Sequence, residues 1–130
     1  MNGECAMNGK FGEFIAKKRK AKGITLRGLA AEIGIAPAFM SDIEKGNRYP
    51  PKKETLDKIV TALSLNVDEA NEMFDLAAGE KENTVSPDLP EYIMKNDKVR
   101  AALRLARDSD VSDSAWQKVI QLLEEENVSD

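Results

Sequence analysis

The chain contains no histidine and only one cysteine, Cys5, among its 130 residues. Without histidine it has no imidazole to serve as a general base, to complete a Ser-His-Asp or Cys-His pair, or to ligate zinc. A single cysteine forms neither an intrachain disulfide nor a structural zinc site. Because no motif of paired carboxylates stands in for these groups, we expect a protein that is not an enzyme and that holds no cofactor and no metal.

Long apolar runs and sheet patterns are missing as well. No segment approaches the roughly 18 consecutive apolar residues of a membrane span, and residues 1–4 lack the basic and apolar regions of a secretory signal. We therefore expect a cytoplasmic protein that makes no membrane contact. No segment alternates regularly between apolar and polar residues, so the pattern predicts an all-α fold without a sheet.

Five stretches of residues 11–79 show the periodicity of apolar residues that is typical of α-helices. Thr25 has the character of a helix N-cap, and Pro37 suits the first turn of a helix, where its missing N–H costs nothing. Gly34 interrupts the pattern between the two helices that these residues begin. The predicted helices lie at about 11–22, 26–33, 37–45 and 52–63, with a fifth that Asn66 or Asp68 caps and Gly79 ends.

The remainder of the chain combines a polar stretch with further apolar periodicity. Residues 80–88 are polar and contain a proline, which is typical of a linker. The apolar stripe that follows has a gap at residues 96–97, where we expect a kink or a restart, and its last helix is predicted to begin at Ser112 or Asp113. These patterns divide the chain into a flexible tail (1–9), a domain (10–79), a linker (80–88), a segment of two to three helices (89–126) and a second tail (127–130).

Charge is distributed unevenly along the chain, although the net charge is only −4. Residues 10–60 hold 12 basic and 6 acidic residues, a net charge of +6, whereas residues 61–130 hold 7 basic and 16 acidic residues, a net charge of −9. Nucleic acid is bound by local positive surface and not by the charge of the whole chain. The first half therefore has the charge of a nucleic-acid-binding domain, and the second half would repel DNA.

The segment from Ile24 to Gly46 reads ITLRGLAAEIGIAPAFMSDIEKG, two short helices that meet at Gly34. It resembles the helix-turn-helix of the Cro/C1-type (Xre) repressor family, and the resemblance extends over about residues 11–78. The resemblance implies a five-helix DNA-binding domain whose third helix enters the major groove. The features that match the family are Leu29-Ala30, Gly34-Ile35, Ser41, Ile43-Glu44, Gly46, Arg48 and Pro50.

The same resemblance places four residues of the third helix at the base edges, namely Pro37, Ala38, Ser41 and Asp42. The family often has long polar residues at three of these positions, whereas Pro37 and Ala38 offer no side-chain hydrogen bond. Small apolar groups can touch a thymine methyl, Ser41 can donate or accept, and Asp42 can accept from a cytosine amino group. Since this direct readout is thin, we expect Arg27, Asn47, Arg48 and DNA shape to share it.

Other residues are implied to position the domain on the duplex. Leu26 stands where the family usually has a glutamine that contacts a phosphate, so that only backbone N–H groups remain at that helix start. Arg19 and Glu44 match an ion pair that joins the first helix to the end of the third and fixes the recognition helix. The candidates for contact with the DNA backbone, which position the protein without reading sequence, are Thr25, Arg27, Lys45, Asn47, Arg48, Lys52 and Lys53.

Two functional hypotheses follow. The favoured one is a transcriptional repressor that binds a pseudo-palindromic operator in double-stranded DNA as a homodimer, since one such module contacts only a short half-site. The alternative is an antitoxin or adaptor-type interaction module whose helices at 89–126 bind a protein partner, with DNA binding autoregulatory. These acidic helices with one apolar stripe can fold back, pair with a second copy or bind another protein, and we favour dimerisation.

Overall fold

A computed structural model describes residues 8–81 and 84–128 of the chain. Within these ranges it contains eight α-helices and no strand, so the prediction of an all-α fold with five helices followed by two to three more is confirmed. None of these helices has the length and apolar content needed to cross a membrane. The helices are α1 (Lys10–Ala21), α2 (Leu26–Ile33), α3 (Pro37–Glu44), α4 (Lys53–Ala62), α5 (Val67–Ala78), α6 (Pro90–Lys95), α7 (Asp97–Ser109) and α8 (Asp113–Val128).

The chain separates into two compact units, at Met1–Pro90 and Glu91–Asp130. Residues 1–7 of the predicted N-terminal tail, residues 82–83 of the predicted linker and residues 129–130 of the predicted C-terminal tail lie outside the described residues. Helix α8 continues through Val128, two residues into the predicted C-terminal tail. The glutamates that precede this end are good helix formers, so the helix has no local reason to stop at residue 126.

The starts of α2, α3 and α4 follow from single residues. Thr25 has extended backbone, and its Oγ1 accepts a hydrogen bond from Gly28 N at 2.9 Å, so α2 begins at the predicted position. Pro37 is the first residue of α3, where no N–H is needed. Lys52 also has extended backbone (φ −71°, ψ 168°), and α4 therefore begins one residue later than the sequence predicts.

Helix α5 is capped by Asn66 and not by Asp68, the other residue that the sequence offers. The Asn66 side chain accepts a hydrogen bond from Glu69 N at 2.8 Å, and the Glu69 carboxylate accepts one from Asn66 N at 3.0 Å. This reciprocal pair satisfies N–H groups that a helix start leaves free. Glu69 also pairs with Lys18 of α1 at 2.8 Å, and the hydrogen bonds from Lys18 and from Asn66 N lower the pKa of Glu69 below its ordinary value.

The core of the first unit is built from the inward faces of its five long helices. Helix α2 packs against both α3 and α4, while α1 packs against α3 and α5. Each fully buried large side chain contributes about 1.5–3 kcal/mol to the free energy of unfolding. The largest fully buried side chains are Phe11, Ile15, Leu29, Ile33, Met40, Ile43, Leu56, Ile59, Leu63 and Met73.

Helices α1 and α3 approach each other closely at Gly12. A Cβ atom at this position would collide with the main-chain carbonyl oxygens of Ile43 and Glu44, at the end of α3. Gly46, two residues after α3, has φ +80°, and a Cβ atom there would lie 3.3 Å from Gly9 Cα. Glycine at these positions therefore lets the start of α1 lie directly against the end of α3, which fixes one helix relative to the other.

The first residue of the predicted linker, Glu80, is buried and folds back onto the start of α1. Its Oε1 accepts hydrogen bonds from Asn8 N (3.0 Å) and Gly9 N (3.4 Å), and its Oε2 accepts one from Phe11 N (3.2 Å). The N–H groups at a helix start have no partner within the helix, and the helix dipole favours a carboxylate there. One side chain thus joins the end of α5 to the start of α1.

The residues after Glu80 continue along the first unit. The Lys81 ammonium nitrogen lies 4.9 Å from the ring centre of Tyr49, in the loop that follows α3, and Ser86 is buried. The described residues of the predicted linker therefore pack, at least in part, against the rest of their unit. A small cavity of about 170 Å³ lies between the loop after α3 and the chain at the end of α5 and beyond it. It is lined by Tyr49, Pro50, Pro51, Ala77, Ala78, Lys81, Thr84 and Pro87.

The second unit begins with the short helix α6. The apolar stripe of the sequence is interrupted at Asn96, and the chain restarts as α7 at the next residue, which is one of the two outcomes that the gap at residues 96–97 predicts. The Arg100 side chain donates hydrogen bonds to the carbonyl oxygens of Ile93 and Met94, near the end of α6. These bonds connect α7 to the end of α6, where Ile93 O also accepts a hydrogen bond from Asn96 N at 3.3 Å.

A left-handed turn separates α7 from α8. Asp110 has φ +51°, and Ser112 then caps α8, since its Oγ accepts a hydrogen bond from Ala115 N at 3.2 Å. No residue of α6 or α7 is buried, although both helices carry apolar side chains. Leu105 of α7 and Trp116 of α8 are among the large apolar residues that remain exposed. The second unit therefore has no buried core of its own in these two helices.

Replacing Glu80 with alanine should lower the free energy of unfolding by about 1–3 kcal/mol, because the buried N–H of Phe11 then loses its acceptor. Urea denaturation followed by circular dichroism measures this change. Glu72, an exposed residue of α5, provides a matched control. E72A should change the free energy of unfolding by less than about 0.5 kcal/mol, and a loss in E80A no larger than this would contradict the role of Glu80.

Candidate nucleic-acid interface

Helices α2 and α3 form the two-helix unit that the sequence predicts. Gly34 follows α2 with φ +78°, a left-handed conformation that turns the chain toward α3. Ala30 is fully buried, and its small side chain lets the two helices pack closely. The seam between them is closed by buried apolar residues, which are Leu29 and Ile33 of α2 and Met40 and Ile43 of α3.

The face of α3 opposite its buried residues carries the four residues predicted to lie at base edges. Ala38 is exposed, and Pro37, Ser41 and Asp42 are partly exposed. Their spacing along the chain brings all four to one side of the helix. Because Pro37 and Ala38 have no polar side-chain atom, this face forms side-chain hydrogen bonds only through Ser41 and Asp42.

Polar and basic side chains lie at the helix ends next to this unit. They occupy the start of α2, the end of α3 with its following loop, and the start of α4. Thr25 Oγ1 accepts the capping hydrogen bond from Gly28 N, which leaves its hydroxyl hydrogen available to a phosphate. All seven residues predicted to contact the DNA backbone are exposed, namely Thr25, Arg27, Lys45, Asn47, Arg48, Lys52 and Lys53.

Lys52 and Lys53 each lie near an acidic residue of α4. Lys52 Nζ is 3.5 Å from Glu54 Oε1, and Lys53 Nζ is 3.0 Å from Asp57 Oδ2. All four side chains are at least 44% exposed, so these pairs contribute little and can exchange for other partners. Among the described residues, no three or more Cys, Asp or Glu side chains lie together in a way that could hold a metal ion, and this includes Glu54 and Asp57.

Arg19 of α1 and Glu44, the last residue of α3, form a bidentate ion pair. Arg19 Nε donates to Glu44 Oε2 at 2.7 Å, and Arg19 Nη2 donates to Glu44 Oε1 at 3.0 Å. The side chains are 10% and 9% exposed, and the hydrogen bonds to Glu44 raise the pKa of Arg19 above its ordinary value although burial lowers it. Arg19 Nη1 also donates to Ile24 O at 2.9 Å, so one guanidinium holds α1, the turn after it and α3.

Arg48 belongs to the loop after α3, but its side chain lies beside two residues of that helix. Its guanidinium carbon is 4.6 Å from the ring centre of Phe39, and its Nε is 3.9 Å from Asp42 Oδ2. The periodicity of α3 does not single out Phe39, because Met40 and Ile43 define the inner face of that helix. What distinguishes Phe39 in the sequence is that it is an aromatic residue of α3 and lies outside that inner face.

Replacing Glu44 with glutamine should lower the free energy of unfolding by about 3–5 kcal/mol, because the Arg19 guanidinium is then buried without a counter-ion. Urea denaturation measures the loss. D57N removes one partner of the exposed Lys53–Asp57 pair and serves as the control, with an expected loss below about 1 kcal/mol. Equal losses in the two variants would show that burial does not strengthen the Arg19–Glu44 pair.

The family match lies within the first unit. Residues 15–69 match the family described as Helix-turn-helix (HTH_3). The ImmF control region 10 kDa protein of Bacillus phage phi105 is 36% identical over 58 residues, and the matched region covers 45% of this chain and 63% of the phage protein. A solved structure of a SinR protein/SinI protein complex aligns with 90% of this chain and 97% of the matched chain, at 20% identity and a TM-score of 0.45. The helix-turn-helix match over residues 15–69 agrees with the resemblance of the motif at residues 24–46 to the Cro/C1-type (Xre) family.

Proposed function

We propose that this chain is a transcriptional regulator that binds DNA sequence-specifically, and that it acts as a repressor by covering a pseudo-palindromic operator as a homodimer. The observation that carries the proposal is the accessible outer face of α3 within a helix-turn-helix domain. Residues 10–60, which hold this face, have a net charge of +6. A major groove about 12 Å wide admits a helix, and local positive charge supplies the affinity for phosphates.

In the proposed complex α3 lies in the major groove, with Pro37, Ala38, Ser41 and Asp42 toward the base edges. The apolar groups touch thymine methyl groups, while Ser41 and Asp42 supply hydrogen bonds. The backbone N–H groups at the start of α2 face a phosphate, which the helix dipole also favours. The side chains proposed to hold further phosphates are Thr25, Arg27, Lys45, Asn47, Lys52 and Lys53.

Selection of binding sites from a random DNA pool, followed by footprinting of the selected site, tests this proposal. The expected result is a preferred sequence with two related half-sites about one helical turn, or roughly 34–36 Å, apart. Equal affinity for selected and random DNA at moderate salt would contradict sequence-specific binding. A protected region with only one half-site would contradict the homodimer.

The exposed apolar residues of the second unit support the homodimer. Leu105 is 69% exposed and Ile120 is 48% exposed, which is costly for side chains of this size. A helix with one apolar stripe needs a partner for that stripe, and a second copy offers the same stripe in a two-fold arrangement. An apolar groove of about 360 Å³ lies between α7 and α8 and is lined by Ala102, Leu105, Ala106, Ser109, Val111, Ala115, Trp116 and Val119.

The same groove also favours the second candidate function, an antitoxin or adaptor whose C-terminal helices bind a different protein. Such a partner would cover the apolar groove in place of a second copy, and DNA binding would then be autoregulatory. The oligomeric state of the purified full chain distinguishes the two candidates. A monomer at micromolar concentration leaves the groove for another protein, whereas a dimer favours the repressor.

Introducing a charge into the groove with V119D should convert the dimer into a monomer in analytical ultracentrifugation. Affinity for the selected operator should fall by about 100-fold or more, because each half-site is then bound independently. Q121D adds the same charge on another side of α8 and should leave both properties unchanged. A dimer that persists in V119D would show that another surface holds the two copies together.

Neutralising both lysines at the start of α4, in the variant K52Q/K53Q, should weaken binding to all DNA sequences alike. The slope of log affinity against log salt should fall by about 2, since each phosphate contact contributes about 0.9. The double variant K17Q/K20Q removes two exposed charges from α1 instead and serves as the control. An unchanged slope in K52Q/K53Q would contradict the proposed contact of α4 with the DNA backbone.

A further inference from the structure

Arg48 belongs to the loop after α3 but lies along the side of that helix. Gly46 has φ +80°, and Asn47 N donates to Asp42 O at 2.9 Å, so the chain folds back onto the end of α3 directly before Arg48. This turn brings the guanidinium beside the carboxylate of Asp42. Arg48 therefore reaches the edge of the face that the proposed function assigns to the base pairs.

The Arg48 guanidinium has two neighbours, of which the Phe39 ring is the one that restricts its position. Phe39 is partly buried against the hydrophobic core, so its ring is a fixed surface, and the guanidinium carbon lies 4.6 Å from the ring centre. On another side, Asp42 Oδ2 lies 3.9 Å from Arg48 Nε. An arginine positioned in this way loses less conformational freedom on binding than one that extends into open solvent.

The outer edge of the guanidinium is available to a ligand. The Arg48 side chain is 55% exposed, and within residues 8–81 and 84–128 the structure records no hydrogen bond from its two terminal nitrogens. Those N–H groups have the spacing of the O6 and N7 acceptors of guanine, and the planar fork of arginine holds them in that geometry. The Asp42 carboxylate repels phosphate, so the surroundings of Arg48 favour a base edge over the DNA backbone.

We propose that Arg48 reads a guanine in each half-site through a bidentate contact in the major groove, with Phe39 as its positioning residue. The inference rests on the proposed function. Of the two roles that the sequence offers for Arg48, a backbone contact and a share in the readout, it selects the second and names the base. Arg48 thereby supplies the long hydrogen-bonding side chain that Pro37 and Ala38 lack on the recognition helix.

Affinities of full-chain variants for the selected site and for its single-base variants test this role. R48K keeps the positive charge but has no planar fork. We expect R48K to lower the preference for guanine at one position of each half-site by about 5- to 150-fold, with an unchanged salt slope. F39L keeps an apolar side chain against the core and should lower the preference at the same position, whereas K58Q, on the exposed side of α4, should leave all preferences unchanged.

R48A separates base recognition from a phosphate contact. With a phosphate contact, R48A would weaken binding to every sequence alike and lower the salt slope by about 1, while R48K would keep the base preferences of the unmodified protein. That result overturns the inference and leaves sequence-specific binding intact. An unmodified protein without any base preference would overturn the proposed function itself. Thermal unfolding followed by circular dichroism verifies that each variant is folded.

Discussion

The guanidinium of Arg19 connects three parts of the domain that must keep a fixed geometry. It binds Glu44 at the end of α3 and the carbonyl oxygen of Ile24 in the turn before α2, in a position shielded from water. At the same end of α3, the backbone of Gly12 lies against the carbonyl groups of Ile43 and Glu44. Helix α3 is therefore oriented by α1 as well as by α2, through residues that take no part in its outer face. The outer face can then depart from the family pattern without loss of the fold.

Much of this domain can be predicted from sequence because the information is local. Thr25 and Pro37 mark helix starts through their own chemistry, and α2 begins and ends where the pattern places it. Glu80 shows the limit of such reasoning. It is a polar residue after a helix, in a stretch with a proline, and local pattern therefore predicts a linker. Its hydrogen-bond partners lie 69 to 72 residues earlier, and no periodicity encodes a contact over that separation.

The candidate site divides in the same way. The resemblance to the Cro/C1 family gives the residues on the outer face of α3, because helical spacing fixes which side chains share a face. It does not give the place of Arg48, which depends on the turn at Gly46 and on the ring of Phe39 beside it. In the second unit the pattern predicts the apolar stripe, but nothing within the sequence states what covers it. Periodicity within one helix describes the stripe and not the surface that packs against it.

The contacts after α5 make the first part of the predicted linker a piece of the folded domain. Glu80 is attached to the start of α1, and Lys81 lies over Tyr49, directly after Arg48 in the loop that follows α3. Releasing residues 80 and 81 would leave the buried N–H of Phe11 without its acceptor, which costs about 1–3 kcal/mol. The end of α5 is therefore coupled through one carboxylate to the start of α1, and through the close approach at Gly12 to the end of α3.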